Sequence, residues 1–154
     1  MSFGKLETLY RAVILDHYKN PRNKGLKDDQ GYIQVHLKNP SCGDDVTIGL
    51  KVENGLITDV VFEGSGCSIS MSSASIMTET VKGKTIEEAQ KIIDAYVHMV
   101  KGEAYDENVD LGEAVVYQGV SNFPARFNCA TISWNALSQA IQQSQAMNKD
   151  HDSN

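Results

Sequence analysis

The residue pattern predicts an α+β fold, a three-stranded antiparallel meander sheet packed against several helices. Three observations lead there. Apolar residues alternate with a period of two through a block between residues 33 and 62, and apolar positions at helical spacing lie on both sides of it. The strand segments are joined by connections too short to hold a crossover helix, so they pair antiparallel and leave one face for helices to cover. Strands grouped together with most helices after them describe α+β, not a parallel α/β sheet.

Taken in order, Leu6, Leu9, Tyr10, Val13, Ile14 and His17 recur at helical spacing and predict an amphipathic helix over 5–19. Asn20-Pro21 ends it, and the polar stretch to Gln30 reads as a loop. Ile33, Val35 and Leu37 form the first strand, and Val46, Ile48, Leu50 and Val52 the second. Asn54-Gly55 supplies a tight hairpin turn, and Leu56 to Phe62 returns as the third strand. A helix then starts just after Gly64-Ser65-Gly66, with Ile69, Ile76, Met77 and Thr80 on one face. Thr85 and Glu88 make a capping box for the next helix, whose core face is Ile86, Ala89, Ile93, Tyr96, Val97 and Val100. Residues 102–125 fit no single pattern; Leu111 to Val120 is compatible with a short helix ended near Asn122 and Pro124. The last helix covers about 126–144 through Phe127, Ala130, Trp134, Leu137 and Ile141, and the polar residues 145–154 are expected to be a disordered tail.

The length of 154 residues suits one domain, 1–154, and 41% apolar with 22% charged residues is globular composition. A net charge of −6 disfavours nucleic acid or an anionic membrane as the main partner. No apolar run approaches the roughly 20 residues of a membrane-spanning helix. Arg11 and Asp16 interrupt the segment that an export signal would need to be hydrophobic, so the expected compartment is the cytoplasm. There, an odd set of three cysteines, Cys42, Cys67 and Cys129, argues against a disulfide framework.

The placement of those cysteines is the informative feature. Cys42 sits in the turn Pro40-Ser41-Cys42-Gly43-Asp44, Cys67 opens a helix after the third strand, and Cys129 lies in the first turn of the final helix. A meander can bring the first turn and the end of the third strand to one sheet edge, and two helix N-termini aimed there would complete a pocket. A helix N-terminus lowers a thiol pKa, so each sulfur has a reason to ionise. Asp44 offers an oxygen ligand two residues from Cys42, across a glycine that permits a sharp turn. Three thiolates and one carboxylate suit Zn²⁺, or an iron–sulfur cluster with a non-cysteine fourth ligand. With a divalent ion that set sums to about −2, and Arg126, one helical turn before Cys129, is placed to offset it. From spacing alone, inert buried thiols compete with this reading, because the chain has no CxxC pair and its cysteine gaps match no zinc ribbon. A Cys–His nucleophilic enzyme is disfavoured: His17, His36, His98 and His151 all fall away from a candidate nucleophile.

Three motifs add a resemblance. Asp16-His17-Tyr18-Lys19-Asn20-Pro21-Arg22-Asn23, Asn39-Pro40-Ser41-Cys42-Gly43-Asp44 and Gly64-Ser65-Gly66-Cys67-Ser68-Ile69-Ser70, with Cys129 followed by Ala130, Trp134 and Leu137, resemble the U-type iron–sulfur assembly proteins (IscU, SufU and the N-terminal domain of NifU) over nearly the whole chain. Asn128 stands where the IscU branch has a histidine, and Ser121-Asn122-Phe123-Pro124-Ala125 replaces that branch's chaperone motif, which is similar to the SufU branch. That resemblance implies a zinc-dependent sulfurtransferase-like acceptor for the cysteine desulfurase SufS, acting with SufBCD-type assembly proteins. It implies that Cys42, Asp44, Cys67 and Cys129 bind Zn²⁺, that Cys42 receives the persulfide sulfur, and that Arg126 supports the site. Since a closed four-ligand site holds Cys42 poorly nucleophilic, docking on the desulfurase is expected to free it. The alternative is a scaffold on which a [2Fe–2S] cluster is assembled from iron and sulfur at the same four residues.

Overall fold

The computed structural model describes residues 3–27, 31–40 and 43–152. Strands β1 (Ile33–Asn39), β2 (Asp44–Glu53) and β3 (Leu56–Ser65) form one antiparallel sheet in the order β1-β2-β3. This is the α+β meander the pattern predicts. Val46, Ile48 and Leu50 of β2 are fully buried, and Asn54 (φ 55°) with Gly55 (φ 76°) turns the chain into β3. Two positive φ values in succession match the right-handed twist of the paired strands, which is why Asn-Gly suits this hairpin.

All three strands run further at one end than apolar alternation predicts. Asn39 pairs with Asp44 and Asp45 with Ser65, so β1 ends, β2 begins and β3 ends at the same edge. The residues there are polar and break the hydrophobic pattern, but a backbone ladder does not need apolar side chains. This extension places Asp44 inside a strand and so gives its carboxylate a fixed origin.

Four helices cover the sheet and each other: α1 (Phe3–Lys19), α2 (Ser68–Val81), α3 (Ile86–Val100) and α4 (Phe127–Asp152). Helix α4 packs on β1 and β2, while α2 packs on β3 and is flanked by α1 and α4. Helix α4 continues past Ser144, where its apolar periodicity ends. The capping box of α3 is present, with Glu88 N–H donating to Thr85 Oγ1 (3.1 Å) and Thr85 N–H to Glu88 Oε1 (3.2 Å). Residues 112–122 form a 3-10 segment with Ala114, Val116, Tyr117 and Val120 buried and the preceding Leu111 buried beside them, and a single 3-10 turn, Pro124–Arg126, leads into α4.

Helix α2 differs from the one-faced helix its apolar residues suggest. Every residue from Ser70 to Thr78 is buried, because α2 is the central helix and its serines are core residues with partners. Ser72 bonds the Tyr117 hydroxyl. Ser73 Oγ accepts from Trp134 Nε1 (2.9 Å) and donates to the Ala130 carbonyl (2.7 Å). Trp134 stacks on Tyr96 at 3.9 Å between centroids, and Tyr117 meets Tyr96 edge-on at 6.1 Å. His17, which the sequence places away from any candidate nucleophile, is a structural histidine. Its ring is buried and spans Ser75 Oγ (2.8 Å) and Glu113 Oε1 (3.0 Å), tying α1 to α2 and the 3-10 segment.

Candidate metal centre

Three elements deliver one donor each to the sheet edge. Asp44 starts β2, Cys67 is the N-cap of α2, and Cys129 lies in the first turn of α4. Their ligand atoms all lie within 4.8 Å of one another, with Asp44 and Cys129 buried and Cys67 partly exposed. In a tetrahedral zinc site, bond lengths of about 2.3 Å to sulfur and 2.0–2.2 Å to oxygen put donors roughly 3.3–3.8 Å apart. The three therefore need draw in by no more than about 1.5 Å to share an ion of that size. Two soft sulfurs and one carboxylate suit a thiophilic divalent cation far better than Mg²⁺ or Ca²⁺.

The Asp44 carboxylate is fixed from two sides. Its Oδ1 accepts from the Cys67 backbone N–H (3.2 Å) and from Ser70 Oγ (2.9 Å). Asn39 Nδ2 approaches Oδ2 at 3.4 Å. The acid thus caps the N-terminus of α2, where exposed N–H groups and the helix dipole favour negative charge. Gly66 is required by this contact: a Cβ there would fall 2.4 Å from Asp44 Oδ1 and 2.5 Å from Ser70 Oγ. Beside the group, a cleft of about 190 Å³ lies between β1 and α4, lined by Leu37, Lys38, Asn39, Asn128, Ile132 and Asn135.

Cys42 lies outside the described residues. Its described neighbours Pro40 and Gly43 are exposed, and Gly43 has φ 72°, a left-handed conformation that glycine adopts without strain. Arg126 is exposed in the turn before α4, and its side chain makes no hydrogen bond or ion pair among the described residues.

The chain matches the family described as the NifU-like N-terminal domain over residues 9–130. The chain belongs to that family. It is 49% identical over 149 residues to the zinc-dependent sulfurtransferase SufU of Bacillus subtilis, covering 96% of this chain and all of that protein. It is 43% identical to the iron–sulfur cluster assembly scaffold protein IscU of Streptococcus pyogenes, over 94% of this chain and 89% of the relative. A crystal structure from Fervidobacterium islandicum, described as an iron–sulfur cluster assembly scaffold protein for the SUF system, superposes with a TM-score of 0.77 at 34% identity, covering 88% of this chain and 98% of the other.

Within this NifU-like N-terminal domain, three of the four metal ligands expected from the sequence come together, although Cys67 and Cys129 are separated by most of the helical half of the chain. Ser70, Asn39 and Gly66 were not singled out by sequence reasoning. Ser70 and Gly66 lie inside the second cysteine motif and Asn39 inside the first, but proximity in sequence does not reveal which carboxylate oxygen each one touches.

Proposed function

We propose that this chain is a zinc-dependent sulfur acceptor, a sulfurtransferase-like protein that takes persulfide sulfur from a SufS-type cysteine desulfurase for iron–sulfur cluster assembly with SufBCD-type partners. The whole chain, 1–154, acts as one domain in this reading. The observation that carries it is the convergence of Asp44, Cys67 and Cys129 within 4.8 Å at the edge where the Cys42 turn leaves the sheet. The full-length similarity to a zinc-dependent sulfurtransferase from Bacillus subtilis supports it independently.

Cys42 is the fourth ligand in this reading. Two links of chain keep its Cα within about 7 Å of that of Asp44, so it can reach the same ion. The ion, when bound, holds the thiols deprotonated without redox chemistry of its own. The chain supplies the rest. Asp44 and Cys129 are buried and cannot meet a partner's sulfur, whereas Cys42 is flanked by exposed Pro40 and Gly43. The Cys42 thiolate attacks the terminal sulfur of the desulfurase persulfide. A new bond forms from Cys42 Sγ to that sulfur, the enzyme's sulfur–sulfur bond breaks, and the desulfurase cysteine leaves as a thiolate. Sulfur changes carrier and no external oxidant or reductant is consumed. Arg126 supports the site by offsetting its negative charge.

Sulfur transfer from a desulfurase loaded with cysteine tests this, read by mass spectrometry on the acceptor. The wild-type chain should bind one zinc, stay colourless and gain one sulfur atom on Cys42, while Cys42→Ala should fold and gain none. Normal acceptance by Cys42→Ala overturns the assignment. The IscU-type relatives favour a second reading, a [2Fe–2S] scaffold at the same residues; a native protein with iron and visible charge-transfer bands would select it.

A further inference from the structure

The two oxygens of Asp44 are not equivalent. Oδ1 accepts two hydrogen bonds, from the Cys67 N–H at 3.2 Å and from Ser70 Oγ at 2.9 Å, which occupy both lone-pair directions of a carboxylate oxygen. Among the described residues, Oδ2 has only the long 3.4 Å approach of Asn39 Nδ2. Ser70 is fully buried on the first turn of α2 and its Oγ lies 3.6 Å from Cys67 Sγ. It therefore touches the acid and one of the thiols at once. Its single proton has a choice between Asp44 Oδ1 and the Cys67 carbonyl at 3.0 Å, and the charge-assisted bond to the carboxylate wins.

We propose that Ser70 is a positioning residue for the metal centre: with the Cys67 N–H it occupies Asp44 Oδ1, so that Asp44 presents Oδ2 alone to the cation. A single oxygen keeps the donor set at four, the closed tetrahedral arrangement that zinc prefers, where a two-oxygen grip would crowd a fifth donor among the sulfurs. Ser70 in this role touches the ligand and not the ion. The inference rests on the metal-binding reading given under Proposed function and goes beyond it, because it assigns a residue outside the four ligands. Gly66 belongs to the same device, since any side chain there would push between Ser70 and Asp44.

The test is a double-mutant cycle on zinc affinity, measured by competition with a chromophoric chelator, together with the visible spectrum of the Co²⁺-substituted protein. Ser70→Ala should weaken zinc binding about 10–100-fold, the usual cost of losing a hydrogen-bond partner of a ligand. It should also alter the Co²⁺ ligand-field bands, and Ser70→Thr, which keeps the hydroxyl, should restore both. In an Asp44→Ala background, Ser70→Ala should have no further effect. Gly66→Ala, which leaves the Ser70 hydroxyl in place, should reproduce the loss and covers the case in which Ser70→Ala folds poorly. Unchanged affinity in Ser70→Ala, or an equal loss with and without Asp44, overturns the proposal while leaving the metal site standing. A wild-type chain that takes up no zinc overturns the site reading and this inference together.

Discussion

Asp44 combines three demands in one side chain: it starts a strand, caps a helix and places an oxygen within 4.8 Å of the sulfurs of Cys67 and Cys129. Removing it should therefore be felt first in the metal. Asp44→Ala should lower zinc affinity by more than about 100-fold, beyond the roughly 10–100-fold that an outer partner costs, as read by chelator competition, with the sulfurs alone still holding the ion loosely. Loosened ligation should also leave Cys42 easier to release, so sulfur acceptance from the desulfurase should persist in this variant under excess zinc. At the same scale, Tyr117 shows what burial does to an ionisable hydroxyl. Desolvation pushes it well above the usual tyrosine range, against the bond it shares with Ser72.

At the scale of elements, α2 decides how rigid the centre is. Its sequence, rich in serine and threonine, has poor intrinsic helix propensity. The helix persists because those hydroxyls reach Asp44, Tyr117, Tyr96, Trp134 and His17 on the elements around it. Ser73→Ala leaves the buried Trp134 Nε1–H without its acceptor and should cost about 1–3 kcal/mol, the penalty of an unsatisfied buried donor, read as a lowered midpoint in urea denaturation. The capping box of α3 is exposed and local, so Thr85→Ala should cost only about 1 kcal/mol and leave zinc affinity unchanged. Comparing these two variants separates the helix that builds the site from one that only supports the fold. The capping box was legible because its two residues are three apart in the chain. The serines of α2 were not, because a buried serine and a solvent-facing one look alike until their partners on other elements are known.

At the scale of the whole molecule, a second charged cluster ties the loop after α1 to the sheet, away from the cysteines. Asp59 on β3 is nearly buried and accepts from Tyr32 and Lys27 (2.9 Å), and Lys82 at the end of α2 lies 3.2 Å away. Burial alone would raise its pKa, but the bonds from Tyr32, Lys27 and Lys82 outweigh it and hold the carboxyl well below the usual range. A depressed folded-state pKa contributes stability that is present above the ordinary carboxylate value, about 3.9, and is lost as pH falls below it. Asp59→Asn should thus destabilise the chain by about 1–3 kcal/mol at pH 7. The gap between variant and wild type should narrow steadily below about pH 4 in thermal melts. A gap that stays constant down to pH 2 would remove Asp59 from the acid response.

By itself the sequence determined the α+β class, the order of strands and helices, the Asn54-Gly55 hairpin and the places where cysteines meet element boundaries. Those features are written in local periodicity, turn chemistry and spacing, which act over a few residues. Only the tertiary structure decided that Asp44 caps α2, that α2 is buried on all sides and that Ser70 and Gly66 shape one carboxylate oxygen's surroundings. These are contacts between residues tens of positions apart. They exist because chain packing brings strand edges and helix ends into register, and no window of local sequence contains both partners.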